Sequence, residues 1–302
     1  MKRAWLLGVL LLIVITACSQ EEGQQPGDSV FQGGTQGLVA RFEPFGVEEN
    51  GIFTIFDTES FPVEVVLQNK GEEDIPAGKA TVTLKGINLN DFTGIEAKTL
   101  ATQDTIEGVT ELNEEGGEET LDFTRSSDAK YKLPVTGFFQ PDIFATADYD
   151  YKTHLAIPQV CFKEDLQDDS VCTVQEAKRF FASGAPVTVT KVEEDVAGRG
   201  IIVLLVSIEN AGAGRVTLPG AEFDARFDQL AFAIETEPQG WECRSAGRQN
   251  EARLINGKAV ITCKLQQPLA KDELFTKQVE LTLNYRYRTV IQESVRIKES
   301  LE

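Results

Sequence analysis

The sequence predicts an all-β protein in which two β-sandwich blocks follow one another along the chain. Three observations support this class. From Leu38 onward apolar and polar residues alternate with a period of two, turn residues separate the alternating runs, and only one short stretch has helix signals. Alternation of period two is typical of strands that are buried on one face.

The first block is predicted to span residues 38–160. One of its early strands ends in the turn Asn69-Lys70-Gly71, and its last strand puts Tyr149 and Tyr151 on one face, where buried hydroxyls need partners. Between these strands, residues 101–117 are weakly patterned and acidic, which predicts a long loop. The predicted strands of this block are 63–69, 80–85, 119–124 and 143–157.

Residues 161–184 are predicted to form the junction between the blocks and to contain one short helix. Thr173 is followed three residues later by Glu176, which is the spacing of a capping box. Gly184 and Pro186 would then end the helix.

The second block is predicted to span residues 185–298. Residues 201–206 are apolar on both faces, which is typical of a central strand. A later strand alternates so that Cys263 faces inward, and Trp241 lies on the same strand face as Cys243. A buried Trp beside a disulfide between strands suits the core of a β-sandwich.

Two landmarks recur in both blocks at nearly the same distance. Tyr149-Asp150-Tyr151 matches Tyr285-Arg286-Tyr287 at an offset of 136 residues, and Asn69-Lys70-Gly71 matches Asn210-Ala211-Gly212 at an offset of 141. Two landmarks at similar offsets favour an internal duplication, and chance similarity between two β-domains is the alternative.

These strand-and-turn segments resemble tandem immunoglobulin-like modules of prokaryotic surface proteins, in particular the adhesion-related CARDB-like kind. The residues that carry the resemblance are 63–71, the following strand 80–85, and 203–212 in the second block. The resemblance implies two tandem immunoglobulin-like β-sandwich domains. It implies no activity, because no catalytic motif is matched.

The amino terminus indicates where the protein is located. Lys2 and Arg3 precede an apolar run that ends in Ile15-Thr16-Ala17-Cys18, as in a secretory signal peptide. This segment resembles the lipobox of prokaryotic lipoproteins, and the whole chain resembles lipoproteins of small-genome archaea. The resemblance implies cleavage after residue 17, a lipid on Cys18 and a place on the extracytoplasmic face of the cell membrane. Two alternatives are an uncleaved short anchor and an ordinary signal peptide. The Gly- and Gln-rich residues that follow, up to 37, predict a flexible tether.

Four further cysteines are expected to form disulfides, because an even number in an exported chain is typical of disulfide pairing. Of the three pairings, proximity favours Cys161–Cys172 with Cys243–Cys263. The chain has one histidine and no Cys-x-x-Cys pair, so zinc spacing is absent.

The charge and the motifs argue against several functions. A formal charge of −19 disfavours nucleic acid as a partner, and the acidic runs, among them Glu72-Glu73-Asp74, predict a solvated surface. His154 is expected to be a solvated strand residue rather than a catalytic base. No cofactor and no catalytic residue are predicted. A calcium site at Asp165, Asp168 and Asp169 is a minority alternative.

One apolar stretch is the candidate contact for a partner. Phe138 and Phe139 lie beside a proline turn, and they either plug the end of the first block or form an exposed patch that docks a partner. We therefore expect a lipid-anchored, non-catalytic adhesion, scaffold or accessory binding module with a protein or glycan partner. The alternatives are an envelope polysaccharide hydrolase that uses a carboxylate pair and a solute-binding lipoprotein.

Overall fold

The computed structural model describes residues 31–174 and 177–301, and in these ranges the regular structure consists of strands. Two single-turn 3-10 helices, Leu89–Asp91 and Pro238–Gly240, interrupt them. The predicted all-β class is confirmed. The strands are β1 Leu38–Phe42, β2 Val47–Glu49, β3 Ile52–Phe56, β4 Glu64–Asn69, β5 Ala80–Lys85, β6 Phe92–Thr93, β7 Thr99–Ala101, β8 Glu118–Asp122, β9 Lys130–Tyr131, β10 Phe138–Phe139, β11 Asp142–Lys163, β12 Phe181–Ala182, β13 Val187–Gly198, β14 Ile201–Asn210, β15 Arg215–Thr217, β16 Asp228–Ile234, β17 Trp241–Ser245, β18 Arg248–Gln249, β19 Glu251–Leu254, β20 Lys258–Leu265 and β21 Leu274–Lys298.

These strands form four sheets. Each block has a sheet of its own, β1-β4-β8 in the first and β13-β14-β20-β17-β18 in the second. The largest sheet has 11 strands and contains strands of both blocks, along the path β19-β16-β21-β11-β5-β7. The short strands β6 and β9 make the fourth sheet.

The centre of the largest sheet is the antiparallel pairing of β11 with β21, which we call the long ladder. It runs from Asp142 opposite Ser294 to Lys163 opposite Leu274. On its other side β11 pairs with β5, and β21 pairs with β15 and β16, so both long strands lie inside the sheet. The boundaries of the two blocks stay predictions, but the last strand of each block is hydrogen-bonded to that of the other.

The long ladder has an internal pseudo-two-fold relation. Tyr149 lies opposite Tyr287, and Tyr151 lies opposite Tyr285. The offset of 136 residues relates Tyr149 to Tyr285 and Tyr151 to Tyr287, so it converts the first pair into the second. Asp150 and Arg286 are opposite each other at the centre. Two equivalent strands that meet in this self-complementary way form an isologous contact within one chain.

The tyrosine and asparagine landmarks are hydrogen-bonded to each other in the same way in both blocks. The hydroxyl of Tyr151 donates to Oδ1 of Asn69 over 3.1 Å, and that of Tyr287 donates to Oδ1 of Asn210 over 2.9 Å. These contacts join the start of each block to its last strand. They also explain why the two landmarks recur together in the sequence.

The glycine of each Asn-x-Gly turn makes room for the same tyrosine. A Cβ on Gly71 would lie 2.2 Å from the hydroxyl of Tyr151, and a Cβ on Gly212 would lie 2.3 Å from the hydroxyl of Tyr287. Real Cβ atoms do not approach this closely, so a larger residue at either glycine would displace the hydroxyl from its partners.

The other two tyrosines receive backbone N–H groups from the first strands of the blocks. The oxygen of Tyr149 accepts from the amide of Leu38 over 3.2 Å, and that of Tyr285 accepts from the amide of Val187 over 3.5 Å. Burial raises the pKa of all four tyrosines above the ordinary value. The predicted need for hydroxyl partners is confirmed.

One hydrophobic core extends through both blocks. The inner face of the long ladder is buried along the predicted alternation, and it belongs to the same cluster as the inner residues of the two block-specific sheets. On β11 the buried residues of this face are Ala145, Ala147, Tyr149, Tyr151, Thr153, Leu155 and Ile157.

The prediction of a helix at the junction is wrong for the described residues. Ala177 forms an isolated bridge with Glu193, and Phe181–Ala182 form β12, which pairs with Leu155 and Ala156 of β11. Residues 175–176, including Glu176 of the capping box, lie outside the described residues. A capping signal is local, and pairing with a long neighbouring strand outweighs the weak propensity of so short a helix.

The end of the predicted tether is held against the fold. The backbone amides of Gln32 and Gly33 donate to the carboxylate of Glu72 over 2.8 and 3.0 Å, and the same carboxylate accepts the amide of Gly184. The ring of Phe31 stacks on that of His154, with centroids 6.2 Å apart. Residues 31–37 therefore do not belong to a free tether. Residues 18–30 of the predicted tether lie outside the described residues.

Candidate interaction surfaces

Both predicted disulfides are present. Cys161 is bonded to Cys172 at the carboxyl end of β11, and Cys243 is bonded to Cys263 between β17 and β20. Trp241 is buried on the same strand as Cys243 and packs edge-on against Phe162, as the alternation predicts for an inward-facing residue. The lipid acceptor Cys18 lies outside the described residues.

The acidic loop closed by Cys161–Cys172 holds a lysine. The side chain of Lys163 is 2% exposed, and its ammonium donates to a carboxylate oxygen of Asp169 over 2.6 Å and to the carbonyl of Asp168 over 3.2 Å. The carboxylate of Asp165 accepts the amide of Gln167 instead. The cation at this loop is thus the chain's own ammonium, which opposes a calcium ion by charge repulsion. In the described part of the chain no group of three or more His, Cys, Asp or Glu side chains is arranged to hold a metal ion.

Phe138 and Phe139 are exposed at one end of the large sheet. They form β10, which pairs with Lys298 and Ile297 at the end of β21. Phe138 is 63% exposed and Phe139 is 39% exposed, whereas a plug of the core would be buried. The two rings are therefore exposed to solvent, and the docking of a partner by them stays a prediction.

Other aromatic and cationic groups surround these two rings and form what we call the end surface, composed of Phe56, Tyr131, Phe138, Phe139 and Arg296. Phe139 stacks on Tyr131 with centroids 5.0 Å apart, and the guanidinium of Arg296 lies 5.4 Å from the centre of the Phe138 ring. A cavity of about 720 Å³ opens beside them between Phe56, Phe138 and the carboxyl-terminal residues 298–301. Aromatic and arginine side chains are the types enriched at protein interfaces.

His154 is part of a small charged cluster and is not simply solvated. Its Nε2 lies 3.0 Å from one carboxylate oxygen of Glu73, and the ammonium of Lys152 lies 3.3 Å from the other. Burial alone would raise the pKa of Glu73, but the hydrogen bond with His154 and the charge of Lys152 outweigh it, so this pKa is lowered. The hydroxyl of Ser183 accepts the backbone amide of His154, and among the described residues no hydroxyl or thiol is hydrogen-bonded to the imidazole. The contacts seen here are the hydrogen bond of His154 and the ion pair of Lys152 with the carboxylate of Glu73.

A second cavity, the ladder cavity, lies over the outer face of the long ladder between the two blocks. Its volume is about 280 Å³, and its walls include Glu73, Lys79, Asp150 and Lys152 of the first block. The second block contributes a wall with Asn284, whose side-chain amide has no hydrogen-bond partner among the described residues. The remaining wall residues are Asp74, Pro76, Tyr151, Pro219 and Tyr285.

Sequence reasoning missed the ladder cavity and the role of Glu72. The acidic run of residues 72–74 was expected to be solvated, but Glu72 accepts three backbone amides and Glu73 accepts His154. The one local signal is that this run follows the Asn-x-Gly turn. The partners lie 39–112 residues away for Glu72, so no spacing in the sequence relates them.

The chain was compared with known proteins at three levels. No family model matches it, and neither a curated protein nor a solved structure matches it. Across residues 31–174 and 177–301, no helix combines the length and the apolar character needed to cross a membrane.

Proposed function

We propose that this chain is a lipid-anchored surface protein whose β-sheet body is a non-catalytic binding module. In this proposal Cys18 carries the lipid on the extracytoplasmic face of the membrane, and the end surface docks a protein partner. The module then serves adhesion, scaffolding or the support of another surface protein. The CARDB-like and archaeal lipoprotein resemblances belong to the proposal as well.

The exposure of Phe138 and Phe139 is the observation that carries the binding role. Two neighbouring phenylalanines on a two-residue strand add little to the core, and their rings stay in contact with water. Their neighbours Tyr131 and Arg296 are of the types that dominate binding energy at protein interfaces. Three of the five side chains of the end surface are phenylalanines, which offer no hydrogen bond to a sugar hydroxyl, so the composition favours a protein partner over a glycan.

The position of residue 31 supports a displayed arrangement. The described chain starts where Phe31 stacks on His154, twelve positions along β11 from Asp142. At about 3.3 Å per residue, the end surface lies roughly 40 Å along the strand from this point. The thirteen residues from Cys18 to Phe31 reach at most about 45 Å. The end surface can therefore face away from a membrane that holds Cys18.

Intact mass spectrometry of the native protein tests the anchoring. The expected product begins at Cys18 and carries acyl chains, and a Cys18→Ser variant is released from the membrane fraction. A native protein that retains residues 1–17, or one with an unmodified Cys18, would contradict the anchoring without bearing on the end surface.

Site-specific photocrosslinking in cells of the source organism tests the docking. A photoreactive phenylalanine at position 138 should crosslink one defined protein, whereas the same probe at Val260, which is 49% exposed on another sheet, should not. The double variant Phe138→Ser, Phe139→Ser should keep its melting temperature within about 2 °C, because both rings are exposed, and should lose co-purification of that protein. A large loss of stability would show that the rings are a core plug, and equal crosslinking from Val260 would show that the contact is nonspecific.

The two alternatives from the sequence, a polysaccharide hydrolase and a solute-binding lipoprotein, stay hypotheses. A polysaccharide hydrolase needs two carboxyl groups about 5–10 Å apart in a cleft. A solute-binding lipoprotein of the common kind has alternating β and α elements, which the described residues do not have. No specific contact described above favours either alternative.

A further inference from the structure

The pseudo-two-fold relation of the long ladder makes two outer-face sites equivalent. One is centred on Arg288, which lies opposite Asp148, and the other on Lys152, which lies opposite Asn284. The offset of 136 residues relates Lys152 to Arg288 and Asp148 to Asn284. The two sites therefore occupy the same place relative to the central pair of Asp150 and Arg286.

The site at Arg288 is filled by an aromatic side chain of the chain itself. The ring of Phe223 lies 4.0 Å from the guanidinium carbon of Arg288 and 5.6 Å from that of Arg286. The carboxylate of Asp148 forms ion pairs with both arginines, 2.5 Å from Nε of Arg288 and 3.6 Å from Nη2 of Arg286. This is a cation–π arrangement held in place by a carboxylate.

Phe223 reaches this site on an insertion that the first block lacks. In the first block, β5 pairs with β11 without interruption from Ala80 to Lys85. In the second block β16 takes the corresponding place, because it lies opposite residues 281–284 of β21. Residues 218–227 leave the sheet between β15 and β16, whereas in the first block only the short turn of residues 76–79 precedes β5. The equivalent site of the first block has no such loop, and the ladder cavity lies there.

We propose that the ladder cavity binds an aromatic side chain of a protein partner, which takes the place over Lys152 that Phe223 takes over Arg288. This inference goes beyond the end surface and does not depend on lipid anchoring. The ligand class is a phenylalanine, tyrosine or tryptophan residue presented by an extended peptide segment.

The walls of the cavity suit such a ligand. Pro76 and Pro219 supply apolar surface on two sides, and Lys79 and Lys152 supply cations for a ring face. Each lysine is ion-paired, Lys79 with Asp150 over 3.3 Å and Lys152 with Glu73 over 3.3 Å, so the site has no strong excess of one charge to select an ion. A volume of about 280 Å³ is just below the range of drug-sized pockets and fits a single side chain.

The free amide of Asn284 adds a polar contact for the same ligand. It occupies the position equivalent to Asp148, but no described side chain uses its donors and acceptor. An amide can pair with the backbone N–H and C=O of a bound peptide segment. Asn284 therefore favours a peptide over an isolated hydrocarbon ring.

Saturation-transfer NMR with the full-length protein in lipid nanodiscs tests the proposal. The probes are N-acetyl-phenylalaninamide, N-acetyl-leucinamide and methyl glucoside, and empty nanodiscs give the background. We expect transfer to the ring protons of the phenylalanine probe with a dissociation constant in the millimolar range, and at least three-fold less transfer to the leucine probe.

Two matched variants locate the binding. Lys152→Ala should weaken it about two- to five-fold. Lys191→Ala removes an exposed lysine from a similar Lys–Glu pair on β13 and should leave it unchanged. Phe223→Ala should empty the equivalent site, so the number of bound phenylalanine probes rises from one to two and the probe raises the melting temperature more than in the wild type.

Several results would overturn the proposal. They are the absence of transfer above the empty nanodiscs, equal transfer to the leucine probe, or an equal effect of Lys152→Ala and Lys191→Ala. Stronger transfer to methyl glucoside than to the phenylalanine probe would assign the cavity to a glycan instead. None of these results affects the photocrosslinking at Phe138, so the two proposals fail separately.

Discussion

Substitution of Tyr151 by Phe should destabilise both blocks together, because one core and one ladder connect them. The change removes a hydroxyl that donates to Asn69 over 3.1 Å and accepts the amide of Glu73 over 3.3 Å. Asn69 is completely buried, so its side-chain oxygen loses a partner that water does not replace. Loss of such a bond costs about 2 kcal/mol of unfolding free energy.

Urea denaturation followed by two signals measures this effect. Trp241 is buried in β17 of the second block, and its fluorescence reports a region remote in sequence from Tyr151. With a urea dependence of about 3 kcal/mol per molar, a loss of about 2 kcal/mol lowers the midpoint by about 0.7 M. The fluorescence of Trp241 and the far-ultraviolet circular dichroism should both shift by this amount.

A matched variant separates the hydroxyl's role from a general effect of Tyr→Phe changes. The hydroxyl of Tyr131 forms no hydrogen bond within the described residues, so Tyr131→Phe should change the midpoint by less than about 0.2 M. If Tyr151→Phe left the Trp241 transition in place while a separate, earlier transition appeared in circular dichroism, the blocks would unfold independently and the reasoning would be refuted.

Two further predictions concern the charged contacts. Asp169→Asn leaves the buried ammonium of Lys163 without its counterion and should lower the free energy of unfolding in urea by about 3 kcal/mol. The control Asp165→Asn should lower it by less than about 0.5 kcal/mol. Equal effects of the two variants would show that the ion pair of Lys163 with Asp169 does not stabilise the fold. The lowered pKa of Glu73 means that its ionised form stabilises the fold above the ordinary carboxyl pKa and that this contribution is lost as the pH falls through the lowered pKa. Glu73→Gln should therefore cost about 1 kcal/mol at pH 7 and nothing in acid, as measured by melting at a series of pH values, and a difference that grows in acid would contradict this sign.

Features with a short-range signal could be predicted from the sequence. The alternation over residues 143–157 is a backbone property, since successive side chains of a strand point to opposite faces, and it identified the buried face of β11. The disulfides followed from proximity along the chain. Asn69 and Tyr151 belong to the two motifs that recur in the second block. The hydrogen bond between them explains why the two motifs recur together.

Features that depend on distant partners could not be predicted in this way. Alternation states which face of a strand is buried but not which strand lies beside it, so the pairing of β11 with β21 had no signal. The segment near Thr173 carries helix signals, yet Phe181 and Ala182 form a short strand that pairs with β11. The ladder cavity arises from the pairing and from the insertion at 218–227, and neither is encoded by a motif.

The isologous ladder gives the hypothesis of an internal duplication a structural form. A single ancestral block would have left the outer edge of its last strand unpaired, and an unpaired edge is a template for a second copy. Two such copies would have associated through the contact now made by Tyr149 with Tyr287 and Tyr151 with Tyr285. Under the hypothesis of an internal duplication, fusion of such a homodimer into one gene would preserve that contact and free each copy to diverge, and the loop that carries Phe223 would be one such divergence.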